Sequence, residues 1–225
     1  MSLRSKAMYL LSLVASLLSL PVYAVFRLAG RIWWNRVIAL TYDLFSKYYD
    51  SFVKLLPGYE NASTHALGSI RFSKDMTVLD VACRTGLLTL KVAGKVKDII
   101  GIDISKGQLL RLKHKLAAYT ANVHIVRGDA EMLPFKDDSF GVVLSQGALS
   151  EIALPRAVIR EMARVLKRGG SLAIVTYGKR GIIGLVNPWA FRPVDVENDF
   201  LEEGLHVKRL SWLEPHYILL VGAKR

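Results

Sequence analysis

The sequence predicts an open, mostly parallel α/β sheet, and three observations carry that reading. After Arg71, short β-rich apolar runs alternate with stretches of helical rhythm, the pattern of a parallel sheet with helices on both faces. The 225 residues suffice for one domain with an appendage and a substantial core. The last two apolar runs, "HVKRLSWLEPH" and "YILLVGAKR", have no helix between them, so they close as a hairpin whose last strand runs antiparallel to its partner.

The first element is the run Ala7 to Phe26, uncharged throughout and flanked by Arg4, Lys6, Arg27 and Arg31. Its length just matches a hydrocarbon core of about 30 Å. Pro21 lets it either span with a kink or lie along one leaflet. A cleaved secretory signal is the competing reading, with Val22-Tyr23-Ala24 as its cleavage site. Residues 1–29 are expected to be a membrane anchor that leaves the rest of the chain on the cytoplasmic side.

Residues 30–69 form a second unit. Trp33, Trp34, Tyr42, Phe45, Tyr48, Tyr49 and Phe52 are interleaved with Arg31, Arg36, Lys47 and Lys54, which suits either a headgroup interface or amphipathic helices covering the next domain's core. One face for each role makes the two compatible. Pro57 to Ser69 is polar and reads as a linker or helix-turn.

Residues 70–225 supply the sheet. Strands are expected at Thr77–Val81, Asp98–Asp103, Val123–Arg127, Gly141–Ser145 and Ser171–Thr176. Helices are expected near Leu87–Val96, Lys106–Thr120, Leu154–Lys167 and Val196–Gly204. Ligands on such sheets bind beyond the carboxyl ends of the strands, beside the first one.

Composition narrows the chemistry. A net charge of +12 suits an anionic partner, phospholipid or nucleic acid. A mean hydropathy of +0.28 reflects the apolar N-terminus. Cys83 is the one cysteine, so no intramolecular disulfide can form, and no His/Cys cluster has zinc spacing. A metal-free mechanism follows as the expectation. The first turn, "VACRTG", lacks G-x-G-x-x-G, which argues against a nicotinamide site. "SQGA" at the end of strand four is not the Asn/Asp-Pro-Pro-aromatic tetrad of nucleotide amino-methylating enzymes.

Asp80 near the end of strand one, Gly86 after the turn, Asp103 at the end of strand two, and "GDAEMLPFKDDSFGVVLSQGALSEI" followed by "REMARVLKRGG" line up in order. On these segments the chain resembles the class I S-adenosylmethionine-dependent methyltransferases, and among them the ubiquinone/menaquinone-biosynthesis branch, from about Tyr42 to Arg225. The resemblance implies a Rossmann-like seven-stranded sheet with an antiparallel last strand, and S-adenosyl-L-methionine as cofactor. It implies that Asp80, Ala82, Arg84, Thr85, Gly86 and Ile104 line the cofactor turn. Asp103 would accept the ribose hydroxyls, Asp129 with the Ala130 backbone would read the adenine amino edge, and Ser145 would sit near the sulfonium. Tyr42, Tyr49 and Gln146 are the substrate or lid candidates. For Asp80 and Asp103 a helix N-cap role is the simpler alternative, and for Met132, Pro134 and Phe135 it is core packing.

A sulfonium donor is already activated, so the protein mainly positions the reactants and excludes water. A base is needed only where the acceptor must lose a proton; Glu151, Glu214 and His216 are the candidates, with no assignment among them. The anchor and the aromatic, basic flank point to a small lipophilic or membrane-associated acceptor, such as a quinone precursor or a lipid headgroup. Two alternatives stand beside it. Arg156, Arg160, Arg164 and Arg168 could form a basic stripe for RNA, although no stacking aromatics accompany them. Arg84, where most relatives carry glycine, could mark a tethered scaffold that keeps the fold without turnover.

Overall fold

The computed structural model describes residues 30–117, 122–180 and 190–225. Three helices come first: α1 (Arg31–Phe45), α2 (Tyr49–Leu55) and α3 (Tyr59–Gly68). The sheet domain follows as β1 (Thr77–Val81), α4 (Leu87–Ala93), β2 (Asp98–Asp103), α5 (Lys106–Leu116), β3 (Val123–Arg127) and β4 (Phe140–Gln146). After a 3-10 turn at Leu149–Glu151 come α6 (Pro155–Val165), β5 (Leu166–Tyr177), α7 (Pro193–Glu202), β6 (Leu205–Leu213) and β7 (Tyr217–Lys224).

The seven strands lie in the order β3-β2-β1-β4-β5-β7-β6. β1 to β5 are parallel, and β7 runs antiparallel to both β5 and β6. The sheet is therefore the class I methyltransferase sheet that the sequence led us to expect. The chain runs outward from β1 through β2 to β3 and then returns past β1 to β4, which places the switch point and its crevice at the carboxyl end of β1.

Alternate strand residues point to opposite faces. Val142 and Leu144 of β4 pack under Val53, Tyr59, Ala62, Leu88 and Val92 from α2, α3 and α4. Val143 meets Val158, Ile159 and Met162 of α6, with Phe200 of α7, on the other face. Each fully buried Leu, Ile or Phe here contributes about 1.5–3 kcal/mol.

Several expectations shift. β5 begins at Leu166, not Ser171, because Leu166 is fully buried and pairs with Phe140 across a bulge. α6 consequently stops at Val165, and Arg168 lies in the strand, off the helical stripe. The other three arginines are tied to acids: Arg156 to Asp199, Arg160 to Glu203, Arg164 to Asp137 and Glu161. α7 starts at Pro193, a residue whose fixed φ suits the first helical position. Most of the stretch read as a linker is α3, because Ala62 and Ala66, four apart, both bury against the core. Met132 is 65% exposed, not core. The expected anchor lies outside the described residues. Among the described residues no helix is long and apolar enough to cross a membrane.

α1 is fastened by polar pegs; Trp34 is its one buried residue. The Trp34 indole N–H donates to the Glu151 carbonyl at 2.6 Å. Asp43 Oδ1 accepts from Ser105 Oγ (2.5 Å) and the Gly107 N–H (2.7 Å), and Gln108 Nε2 donates to the Tyr42 carbonyl (3.1 Å). A Cβ on Gly107 would stand 2.8 Å from Asp43 Cα.

Candidate functional site

Between β1 and α4 the backbone runs through three left-handed residues, Ala82 (φ 56°), Arg84 (φ 54°) and Gly86 (φ 76°). At Gly86 a Cβ would lie 2.3 Å from Leu112 Cδ1, so only glycine fits. At Arg84 the conformation costs a non-glycine residue about 1 kcal/mol. The turn is held to β2 by the Cys83 N–H on the Ile102 carbonyl (3.0 Å) and the Arg84 N–H on Asp103 Oδ2 (2.9 Å). Asp103 Oδ1 accepts the Ser105 N–H at 2.8 Å.

The Arg84 side chain explains why the strained turn persists. Its buried guanidinium donates to the Gln146 carbonyl (2.9 Å), the Gly147 carbonyl (2.7 Å) and Glu151 Oε2 (3.1 Å). It also lies over the Tyr42 and Tyr49 rings, 5.3 and 5.5 Å from their centroids. Hydrogen bonds from a charged donor contribute about 1.5–3 kcal/mol each, which offsets the backbone cost. The two carboxylates of the N-terminal helices α1 and α2 are engaged elsewhere: Asp43 holds α5, and Asp50 accepts from Thr85 Oγ1 and pairs with Lys115.

Two cavities meet at this residue. One, about 540 Å³ and open to solvent, is bounded by Asn35, Ile38 and Tyr42 of α1, by Ala82, Arg84, Asp103 and Ile104, by Asp129 and Ala130, and by Glu151 and Ile152. The other, about 240 Å³, is bounded by Tyr49, Tyr59, Asp80, Cys83, Leu88 and Gln146, together with the same Ala82 and Arg84. The arginine is thus the partition between them.

Of the residues singled out by sequence, Tyr42, Ala82, Arg84, Asp103, Ile104, Asp129, Ala130 and Glu151 line the first cavity, and Tyr49, Asp80 and Gln146 the second. Thr85 and Gly86 shape the turn without lining either. Ser145 is buried and lines neither cavity, because strand alternation sends it to the face opposite Gln146. Glu214 is exposed in the β6–β7 loop and pairs with Arg180 at 2.9 Å. His216 is buried, stacked 5.6 Å from Tyr177, and burial pushes it down to about 4. Neither lines either of these two cavities, whereas Glu151 lines the first.

The sequence reading missed Asn35 and Ile38. With Arg31 and Tyr42 they fall at i, i+4, i+7 and i+11, one helical face, a spacing visible in the sequence. That face reaches Asp129: Asn35 Nδ2 donates to Oδ2 at 3.0 Å, and Arg31 lies 3.4 Å from the same oxygen while its Nε stands 2.5 Å from Glu131.

Burial dominates the electrostatics. It raises the Asp80 carboxyl to about 7 despite the Thr89 hydroxyl donating at 2.5 Å. It raises Asp103 as well, against the opposing pull of the Ser105 and Arg84 N–H groups. The Tyr42 hydroxyl is pushed well above the usual phenol range by burial, with the Arg84 charge acting the other way. Tyr42 donates to Glu151 Oε2, the oxygen that also receives Arg84.

The polar groups of the first cavity fit a nucleoside. A carboxylate offers about four acceptor positions, and Asp103 has spent two on N–H groups, leaving capacity for vicinal hydroxyls. Asp129 and the Ala130 backbone stand across an apolar wall of Ile102, Ile104 and Ile152. A cofactor with an amino-acid arm would extend that arm into the second cavity, past Arg84, which lines both. Among the described residues no group of three or more His, Cys, Asp or Glu could hold a metal ion.

Residues 79–174 match the family model described as a methyltransferase domain. A demethylmenaquinone methyltransferase of Staphylococcus aureus (strain MRSA252) is 41% identical over 100 residues, 43% of this chain and 41% of that protein. The chain spans about half the length of the curated relatives it matches. Among solved structures, the [4+2]-cyclase SpnF superposes with a TM-score of 0.74 at 19% identity, over 83% of this chain and 94% of its own. A SAM-dependent methyltransferase from Aquifex aeolicus superposes with a TM-score of 0.65 at 18% identity, over 74% and 93%.

Proposed function

Because the chain carries a class I S-adenosylmethionine-dependent methyltransferase domain, we propose that it methylates a small lipophilic acceptor bearing an ionisable ring hydroxyl, of the quinol kind. The observation that carries the acceptor class is Glu151: a carboxylate on the wall of an otherwise largely apolar cavity, oriented by the Tyr42 hydroxyl and the Arg84 guanidinium. The demethylmenaquinone methyltransferases among the relatives support the same class. The run Ala7 to Phe26 supports an acceptor drawn from a membrane and a chain held there on its cytoplasmic side.

S-adenosylmethionine, when bound, would supply the activated methyl group, its methyl–sulfur bond breaking with the sulfur leaving as a neutral thioether. Asp103, Asp129 and the Ala130 backbone would hold its nucleoside part, with Ile38, Ile104 and Ile152 as the apolar wall beside it. Glu151 takes the proton of the acceptor hydroxyl, which raises electron density on the ring carbon that forms the new carbon–carbon bond. The ring hydrogen is then lost as a proton to solvent and aromaticity returns. Arg84 balances the carboxylate charge before the proton arrives, and Tyr42 fixes the direction in which Glu151 faces.

The test supplies methyl-labelled S-adenosylmethionine to the full chain with demethylmenaquinol in vesicles and, separately, with cell RNA. Label should enter the quinol fraction, and Glu151→Gln should lower kcat on the order of 10²–10⁴-fold with little change in KM. Label in RNA alone, or an undiminished rate in Glu151→Gln, overturns the reading. One observation favours a second reading, a tethered scaffold: the Arg84 partition across the cleft. Calorimetric titration separates the two, since a scaffold binds no S-adenosylmethionine as wild type and regains binding in Arg84→Gly.

A further inference from the structure

α1 has two faces of opposite character. Arg31, Asn35, Ile38 and Tyr42 turn toward the site. The other face carries Trp33, Leu40 and Leu44, and Tyr48 follows beyond the helix end; all four are exposed, Leu44 to 75%. Arg36 and Lys47 extend the stripe, at steps of three and four residues from Trp33 to Lys47. Arg36 lies 5.7 Å from the Trp33 ring centroid and Lys47 5.7 Å from that of Tyr48. The charges in this segment are sorted by direction. Its two carboxylates, Asp43 and Asp50, are turned inward onto Ser105, Gly107, Thr85 and Lys115. Arg36, Lys47 and Lys54 are all exposed.

We infer that this face of α1 docks on an anionic phospholipid surface, with Leu40 and Leu44 entering the acyl boundary and Arg36, Lys47 and Lys54 meeting the phosphates. The occupant follows from charge: an apolar stripe in a segment whose exposed charges are all cations, with amphipathic rings at its ends, complements a lipid interface. The opposite face of the same helix forms a wall of the cavity, so docking also sets the cavity mouth against the membrane. The inference rests on the reading of a membrane-dissolved acceptor, but its measurement uses no turnover.

Cys83 is buried, so a nitroxide can be attached selectively to Leu44→Cys, and to Lys95→Cys on an exposed turn as the control, in the full chain. Accessibility to oxygen relative to a polar nickel chelate is read by electron paramagnetic resonance. Vesicles of phosphatidylcholine with about one-third phosphatidylglycerol should raise the ratio severalfold at residue 44 and leave residue 95 unchanged. Replacing Arg36, Lys47 and Lys54 by Glu should weaken the transfer of residue 44 into lipid by at least roughly fivefold per charge. A label at residue 44 that stays aqueous while the protein sediments with vesicles overturns the proposal. So does one already shielded without vesicles, which points to residues 1–29 as the cover, and so does vesicle-independent broadening between labels, which points to a second copy. Failure of methyl transfer with docking intact leaves this inference standing and removes the acceptor reading alone.

Discussion

Replacing Arg84 by glycine should weaken the fold and tighten the cofactor. The guanidinium makes three charged hydrogen bonds, to Gln146, Gly147 and Glu151, and covers two aromatic rings. At about 1.5–3 kcal/mol per bond the gross loss is roughly 4–9 kcal/mol. Two effects reduce it: glycine relieves the left-handed backbone by about 1 kcal/mol, and water entering the enlarged cavity can serve the vacated carbonyls. A net destabilisation of about 2–4 kcal/mol remains, which corresponds to a fall in Tm of roughly 4–16 °C for a chain of this size. Because the cofactor must pass this side chain to use both cavities, wild-type affinity includes the work of moving it. Removing it should lower the Kd for S-adenosylmethionine about tenfold or more, a modest 1.4 kcal/mol of that work. Thermal unfolding followed by fluorescence and calorimetric titration read the two effects separately. Arg84→Ala, which keeps the left-handed strain, should be about 1 kcal/mol less stable than Arg84→Gly. A glycine variant as stable as wild type, or one that binds the cofactor more weakly, refutes the reasoning; the second result would make Arg84 a cofactor ligand.

Asp80, with its carboxyl raised to about 7 by burial, binds its proton more tightly folded than unfolded; its contribution to stability is therefore full below pH 4 and lost as pH climbs through 7. Asp80→Asn should flatten the difference between urea midpoints at pH 5 and pH 8, and an unchanged difference would count against a buried neutral carboxyl. His216, held down to about 4 by burial, has the opposite sign: its contribution is present above about 6.5 and lost as pH falls through 4. His216→Phe, which keeps a ring against Tyr177, should lose less stability than wild type over that window in acid titration. Gly107→Ala places a methyl 2.8 Å from Asp43 Cα, which should loosen α1 and speed hydrogen exchange of its amides while leaving the sheet strands protected; equal α1 protection would show that the contact yields without cost.

Much of the sheet was legible because each strand is a short apolar run bounded by turns. The limits of β1, β2 and β3 follow directly from "TVLDV", "DIIGID" and "VHIVR". β5 was less so, since Leu166 to Gly170 read as the tail of a helix until pairing with β4 claims them. In the site, Asp103, Asp129 and Ala130 are legible as strand-end positions on this topology. Ser145 and Gln146 are neighbours in the strand and so point to opposite faces, and of the two it is Gln146, a substrate or lid candidate from the sequence, that lines a cavity. The partners of Arg84 could not be read at all: they come from the end of β4, the 3-10 turn and α1, 42 to 67 residues away.

The antiparallel β7 also fixes an order of assembly. It is made after β6, yet it lies between β5 and β6. Until residues 217–224 leave the ribosome, β5 keeps an open edge and β6 has no neighbour to pair with. The nascent chain therefore carries one strand with an open edge and one with no partner through the synthesis of the hairpin loop, a window in which edge-to-edge association competes with folding. One strand closes both edges, so the sheet gains its cooperativity in a single late step.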